Sequence, residues 1–251
     1  MAERDAIIAW VDDLLGSPGF PDYGPNGLQV PGSASVTRVI SCVSATLEVF
    51  EAAAEQGAEL VIAHHGIFWG ESGALSAQQA ARLRVLLSGD INLAAWHLPL
   101  DAHAEVGNNA LLIDALELSG REPFGDYKGR TIGFVASTEA PLSGESLALR
   151  IKETLGRDPL HLAYGPSEIT RVAVVTGSAP DYIDAAAAAG AQAFVTGEPA
   201  ERVNANAKEL GLHFFAAGHH ATETFGIRRV GEMIAERFGV VHEFMDVPNP
   251  I

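Results

Sequence analysis

Most of the nine histidines of this chain fall in three short stretches. VIAHHGIFW carries His64 and His65, HLPLDAH carries His97, Asp101 and His103, and GHHATE carries His219, His220 and Glu223. Imidazole and carboxylate donors without thiolate suit zinc, manganese, iron, cobalt or nickel, and suit copper(I) poorly. A carboxylate such as Glu223 can bridge two ions. Two-metal sites activate a water and stabilise a leaving oxygen or nitrogen. The chemistry to expect is therefore that of a divalent-metal centre.

Each stretch also has a plainer reading. Neighbouring strand residues point to opposite faces, so a regular strand presents His64 and His65 poorly to one ion. At a strand end turning through Gly66 they reach two ions; otherwise one packs in the core and the other lies on a loop. Pro99 suits the first turn of a helix and forbids continuation of a strand. His97 then sits just before that helix and Asp101 in its first turn, where the helix dipole also favours a carboxylate. His219 and Glu223 have i,i+4 spacing and share a face if a helix begins by about His219; first-turn capping is the alternative. His103 and His220 read as turn or surface histidines near the ligands.

Each stretch follows an apolar run, which identifies the elements that must carry it. Strand-like runs at 39–43, 60–63, 91–96, 131–135, 171–175, 193–196 and 213–216 alternate with Ala- and Glu-rich helical runs, the pattern of an α/β fold. In such sheets ligands gather beyond the carboxyl ends of the strands. Near the start, Ile7, Ile8, Val11, Leu14 and Leu15 follow helical spacing. In the last helical run, Ile227, Val230, Ile234 and Phe238 form the apolar stripe.

The segments RVISCVSATLEVFEAAAEQGAELVI, from Arg38, and RVAVVTGSAPDYIDAAAAAGAQAFV, from Arg171, align without a gap. Gly57 and Gly190 coincide as helix C-terminal caps, and Glu198 takes the place of His65. A second echo aligns INLAAWHLPLD, from Ile91, with HFFAAGHHATE, from His213; it pairs His97 with His219 and Asp101 with Glu223. The expected architecture is two similar α/β lobes, an internal pseudo-repeat, with mostly parallel sheets and a metal cleft between them. The lobes span 1–124 and 125–251, with the last helix free to pack back on the first lobe.

Composition sets the limits. The 251 residues are 47% apolar, enough for a sizeable core, and carry a formal charge of −16. That acid excess argues against duplex nucleic acid and anionic membranes as partners, because both need clustered Lys and Arg. The longest apolar runs fall well short of the ~18 residues of a membrane helix, and the acidic start is unlike a signal peptide. With one cysteine no intrachain disulfide or cysteine-rich zinc site forms, and a cytoplasmic location is the default. Cys42 reads as a buried strand residue.

Taken together, DYGPNGLQV at 22–30, HHGIFW, HLPLDAH, TGE at 196–198 and GHHATE resemble the GTP cyclohydrolase 1 type 2 homologue family, also called the Nif-three-like family, in order along essentially the whole chain. The length resembles the short bacterial form, without the domain that longer members insert between the halves. The resemblance implies two divalent ions per subunit on His64, His65, Asp101, His219 and Glu223, with Glu223 bridging. It also implies a ring-shaped homohexamer. His97 matches the family's histidine in the HLPLD segment, as a further ligand or as a catalytic proton carrier. The implied activity is metal-dependent hydrolysis of a nucleotide-like small molecule, GTP by the family label, although the chain has no phosphate loop. The alternative is a metal-handling or regulatory protein without turnover. In DYGPNGLQV, Asn26-Gly27 signals a turn and residues 27–30 read as structural; Phe68 and Trp69 read as wall packing rather than a stacking platform.

Overall fold

The computed structural model describes residues 1–70 and 73–251. The chain begins with β1 (Ala2–Glu3), α1 (Arg4–Leu15), β2 (Gly27–Val30), β3 (Ser35–Val36), β4 (Arg38–Ser44), α2 (Leu47–Glu55), β5 (Leu60–His65), α3 (Ala77–Ser88), β6 (Asn92–Ala95) and α4 (Leu98–Ala102). It continues with α5 (Asn108–Ala115), β7 (Ser119–Tyr127), β8 (Arg130–Leu142), α6 (Gly144–Leu155), β9 (Leu160–Ala163), β10 (Ile169–Val174), α7 (Ile183–Ala188), β11 (Ala193–Thr196) and α8 (Val203–Leu210). The last elements are β12 (His213–Ala216), α9 (His219–Thr222), α10 (Thr224–Phe238) and β13 (Val241–Phe244). The fold is mixed α/β. It divides into two compact units, Met1–Leu100 with Gly226–Pro248, and Asp101–Phe225 with Asn249–Ile251.

The first unit is built on a sheet of order β13-β4-β5-β6-β2. All its neighbours pair in parallel except β2, which runs antiparallel to β6. Thr46 caps α2 by accepting the Val49 N–H, and that helix buries Val49, Phe50 and Ala53 against Ile40, Cys42, Val61 and Ala63. Full burial of a side chain the size of Phe50 contributes about 1.5–3 kcal/mol. Helix α1 turns Ile7, Ile8, Val11 and Leu15 inward, and α10 does the same with Ile227, Val230 and Ile234. Cys42 is buried, its Sγ 3.8 Å from the Ile62 carbonyl, and burial pushes the thiol up to about 12.

The second unit carries a sheet of order β7-β8-β10-β11-β12-β9, in which β10, β11 and β12 are parallel and the outer pairings antiparallel. Both faces of its centre are covered. Phe194 and Phe214 pack with Ile183, Ala186, Val203 and Ala207 on one side. Val172, Val195 and Phe215 pack with Leu112, Ile113, Leu147 and Ile151 on the other. Burial on both faces explains why β11 and β12 read as continuous apolar runs rather than alternating ones.

The duplicated segments occupy equivalent places, β4-α2-β5 in one unit and β10-α7-β11 in the other. Gly57 and Gly190 both adopt positive φ, at 67° and 77°, where a side chain is disfavoured. One feature of the duplication is not apparent from composition. Glu59 accepts the N–H groups of Thr37 and Arg38, and Gln192 accepts those of Thr170 and Arg171. The second echo holds at its histidines but not within its strands. Leu60 faces Asn92 and Ala193 faces His213, so aligning Ile91 with His213 is one residue out within the strands. The extra residue is Gly218, at φ 101°, which brings His219 level with His97. Among the described residues, no helix is long and apolar enough to cross a membrane.

Candidate metal centre

In the first unit, β5 ends on His64 and His65, and His97 follows β6. His64, fully buried, donates from Nδ1 to the Trp96 carbonyl at 3.0 Å. A carbonyl only accepts, so the proton sits on Nδ1 and Nε2 presents its lone pair. The Nδ1 of His65 lies 3.3 Å from Ser44 Oγ, and the Nδ1 of His97 lies 2.7 Å from Asp22 Oδ1. The three rings stand with centroids 4.6, 5.1 and 5.5 Å apart. One donor atom from each lies within 4.8 Å of the others, a group able to hold a metal ion.

The segment DYGPNGLQV supports this cluster. Asp22 also accepts the Tyr23 and Leu98 N–H groups and the Asn26 amide, while Asn26 Oδ1 accepts the His97 N–H. Burial pushes the Asp22 carboxyl up, but the bonds from His97, Asn26 and Tyr23 outweigh it and hold the group below the ordinary range. Gln29 accepts the Ile67 N–H at 3.0 Å and donates to the Pro25 carbonyl at 2.8 Å. Its amide fills the space a Cβ on Gly66 would occupy, so the turn after His65 requires glycine. Trp69 is half-exposed and meets the His97 ring edge-on, with centroids 5.0 Å apart.

In the second unit, His219 lies between two carboxylates. Its Nδ1 is 2.5 Å from Glu198 Oε1 and its Nε2 is 3.1 Å from Glu223 Oε2. Burial alone pulls this imidazole down, but Glu223 and Glu198 overcome it and raise its pKa to about 9. The protonated ring thus faces a carboxylate at each nitrogen. Asp101 is buried; its Oδ1 accepts the Asn108 amide at 2.8 Å and the Thr176 hydroxyl at 3.3 Å. Asn109 locks the same turn, donating to the Asp101 carbonyl and accepting the Thr176 N–H. Gly177, at φ 68°, lies against the Glu223 carboxylate, and a Cβ there would collide with it.

His219 and Glu223 therefore face each other, although not on a continuous helix: α9 stops at Thr222 and Glu223 sits at φ −111° before α10 begins. His103 accepts the N–H groups of Glu105 and Val106 at its Nδ1. Glu198, aligned with His65 in the repeat, turns out to be the carboxylate that fixes His219. Asp22, Ser44, Asn108, Thr176 and Gly177 are absent from the sequence reading as functional residues. Asp22 alone carried a signal, its place at the head of the DYGPNGLQV segment.

Residues 2–250 match the family described as Duf34/NIF3 (NGG1p interacting factor 3). A protein of Pseudomonas aeruginosa named GTP cyclohydrolase 1 type 2 homolog is 41% identical over 245 residues, covering 97% of each chain. Its namesake in Escherichia coli is 42% identical, with 96% of each chain covered. Among solved structures, the protein ybgI, described as of unknown function, superposes with a TM-score of 0.95 at 40% identity over the full length of both chains. A protein of Thermus thermophilus superposes at 0.90 with 36% identity, again over both full chains. The family match spans nearly the whole chain and the relatives agree with it, so the chain belongs to the Duf34/NIF3 family.

Proposed function

We propose that His64, His65, Asp101, His219 and Glu223 hold two divalent ions, with Glu223 bridging, and that the chain is a metal-dependent hydrolase of a nucleotide-like small molecule. One observation carries this reading: the Nδ1 of His64, His65, His97 and His219 is engaged by a carbonyl, a hydroxyl, and the carboxylates of Asp22 and Glu198. Metal-binding histidines characteristically use one nitrogen for the ion and tie the other to such a partner. Two histidines outside this set are tied differently: His242 through Nε2 to Ser41 Oγ, and His213 through both nitrogens, to His161 and the Pro166 carbonyl.

Bound divalent ions would supply Lewis-acid polarisation and a more acidic water. The remaining work falls to the chain. Asp22 keeps a proton on His97 Nδ1, which leaves Nε2 as the atom at which His97 takes up and returns a proton. Glu198 orients His219, and the Asn108–Thr176 bonds hold Asp101. The names of the relatives point to GTP as the first compound to try. The same resemblance supports a ring-shaped hexamer, which sedimentation of the intact protein tests.

The deciding experiment is a turnover screen of protein loaded with zinc, manganese, iron, cobalt or nickel against GTP and other nucleotides, with Glu223→Ala beside it. Product release that the variant abolishes supports the hydrolase. No turnover with any metal, together with fast exchange of the ions, favours a metal-handling role.

A further inference from the structure

Arg157 follows Gly156, whose left-handed conformation at φ 70° ends α6. Its half-buried side chain lies across Gly218. A Cβ on Gly218 would strike the Nη1, Cζ and Cδ atoms of this arginine. Gly218 is thus glycine for two reasons: its φ of 101° excludes side chains, and Arg157 occupies the space a side chain would need. The residue after Gly218 is His219, set between Glu198 and Glu223.

Other arginines of this unit have carboxylate partners: Arg121 with Asp114, Arg150 with Glu117, Arg171 with Glu122 and Arg202 with Asp181. Arg157 makes no hydrogen bond or ion pair among the described residues. The nearest acid in sequence, Asp158, is held by Lys152 at 2.8 Å. The backbone of the same turn is committed as well: Gly218 N–H donates to Gly197 and His220 N–H to a backbone oxygen of Ile251. A guanidinium is always charged and presents a planar fork matched to phosphate and carboxylate.

We propose that Arg157 is the anion-recognition residue of this site and takes an oxyanion, a phosphate or a carboxylate, of the molecule the metal centre acts on. The inference rests on the metal-centre reading. Arg157 supplies a cation over the Gly218 backbone, one residue before His219, to offset the negative charge that a phosphate-bearing substrate brings.

The test is calorimetric titration of zinc-loaded protein with inorganic phosphate and, separately, acetate, using wild type, Arg157→Gln and Arg157→Lys, with zinc content measured on every sample. Losing charge-assisted hydrogen bonds should weaken anion binding about 10- to 100-fold in Arg157→Gln. Arg157→Lys should fall in between, because it keeps the charge and loses the fork, and it serves if the Gln variant misfolds. Tighter phosphate binding assigns a phosphoryl group, and tighter acetate binding a carboxylate. Equal affinity in wild type and Arg157→Gln, or no binding of either anion by wild type, overturns the proposal. If wild type retains no zinc, the titrations use whichever of manganese, iron, cobalt or nickel it does retain; retention of none of them overturns the metal reading instead.

Discussion

Asp22 Oδ1 lies 2.7 Å from His97 Nδ1. The second unit repeats the device with different residues, Glu198 Oε1 lying 2.5 Å from His219 Nδ1. In both cases the carboxylate comes from a loop distant in sequence and engages Nδ1 of the ring. Each acid limits what its histidine can do by occupying one of its two nitrogens.

If Glu198 sets the orientation of His219, Glu198→Ala should weaken metal affinity about 10- to 100-fold without unfolding the chain. Competition against a chelator of known affinity measures this. Wild-type affinity in the variant would mean that Glu198 serves only the local structure.

His219 titrates near 9 in the metal-free chain, raised by Glu223 and Glu198 against the opposing effect of burial. Because the folded value lies above the unfolded one, this proton's contribution to stability is complete below about 6.5. It fades as pH rises through about 9. A ligand nitrogen must lose its proton to bind a metal. Metal binding at pH 7 should therefore release a proton, and affinity should rise with pH up to about 9. Calorimetry in buffers of different ionisation enthalpy counts the released protons. Binding with no proton release and no pH dependence over this range would contradict the assignment of His219 as a ligand.

Gly177 and Gly190 both hold left-handed backbone, at φ 68° and 77°, but only Gly177 faces Glu223; nothing lies within 4 Å of a Cβ on Gly190. Alanine at either position should cost about 1–2 kcal/mol in backbone strain, visible in denaturant titrations. Gly177→Ala should in addition displace Glu223 and lower metal content, while Gly190→Ala should leave it unchanged. Equal metal content in the two variants would sever Gly177 from the site.

Glu59 and Gln192 perform the same task in the two units, each accepting two consecutive backbone N–H groups. Since the glutamine does this without charge, Glu59→Gln should change stability by well under about 1 kcal/mol. Glu59→Ala loses the hydrogen bonds at about 0.5–1.5 kcal/mol each. Thermal unfolding of the pair distinguishes a hydrogen-bond role from an electrostatic one.

The parallel strands were readable from the sequence because both faces are buried, and the apolar runs at 39–43, 60–63, 193–196 and 213–216 mark β4, β5, β11 and β12. Edge strands were less legible. In β13 the residues alternate between exposed and half-buried, and β9 has no fully buried residue, so neither shows an apolar run. The candidate ligands stood out through residue type and spacing. Their supports did not: Ser44, Trp96 and Thr176 act through a hydroxyl or a carbonyl whose partner lies far away in the chain. Gly218 shows a further limit, because one residue of positive-φ backbone shifted an alignment that looked gapless.

Elemental analysis of protein repleted with zinc, manganese, iron, cobalt or nickel and then desalted tests most directly whether His64, His65, Asp101, His219 and Glu223 bind metal. Wild type should carry two ions per chain with at least one of these metals, and His64→Ala and Glu223→Ala should each lose most of that content while remaining folded by circular dichroism. Well under one ion per chain in wild type for every metal, unchanged in both variants, would contradict the account.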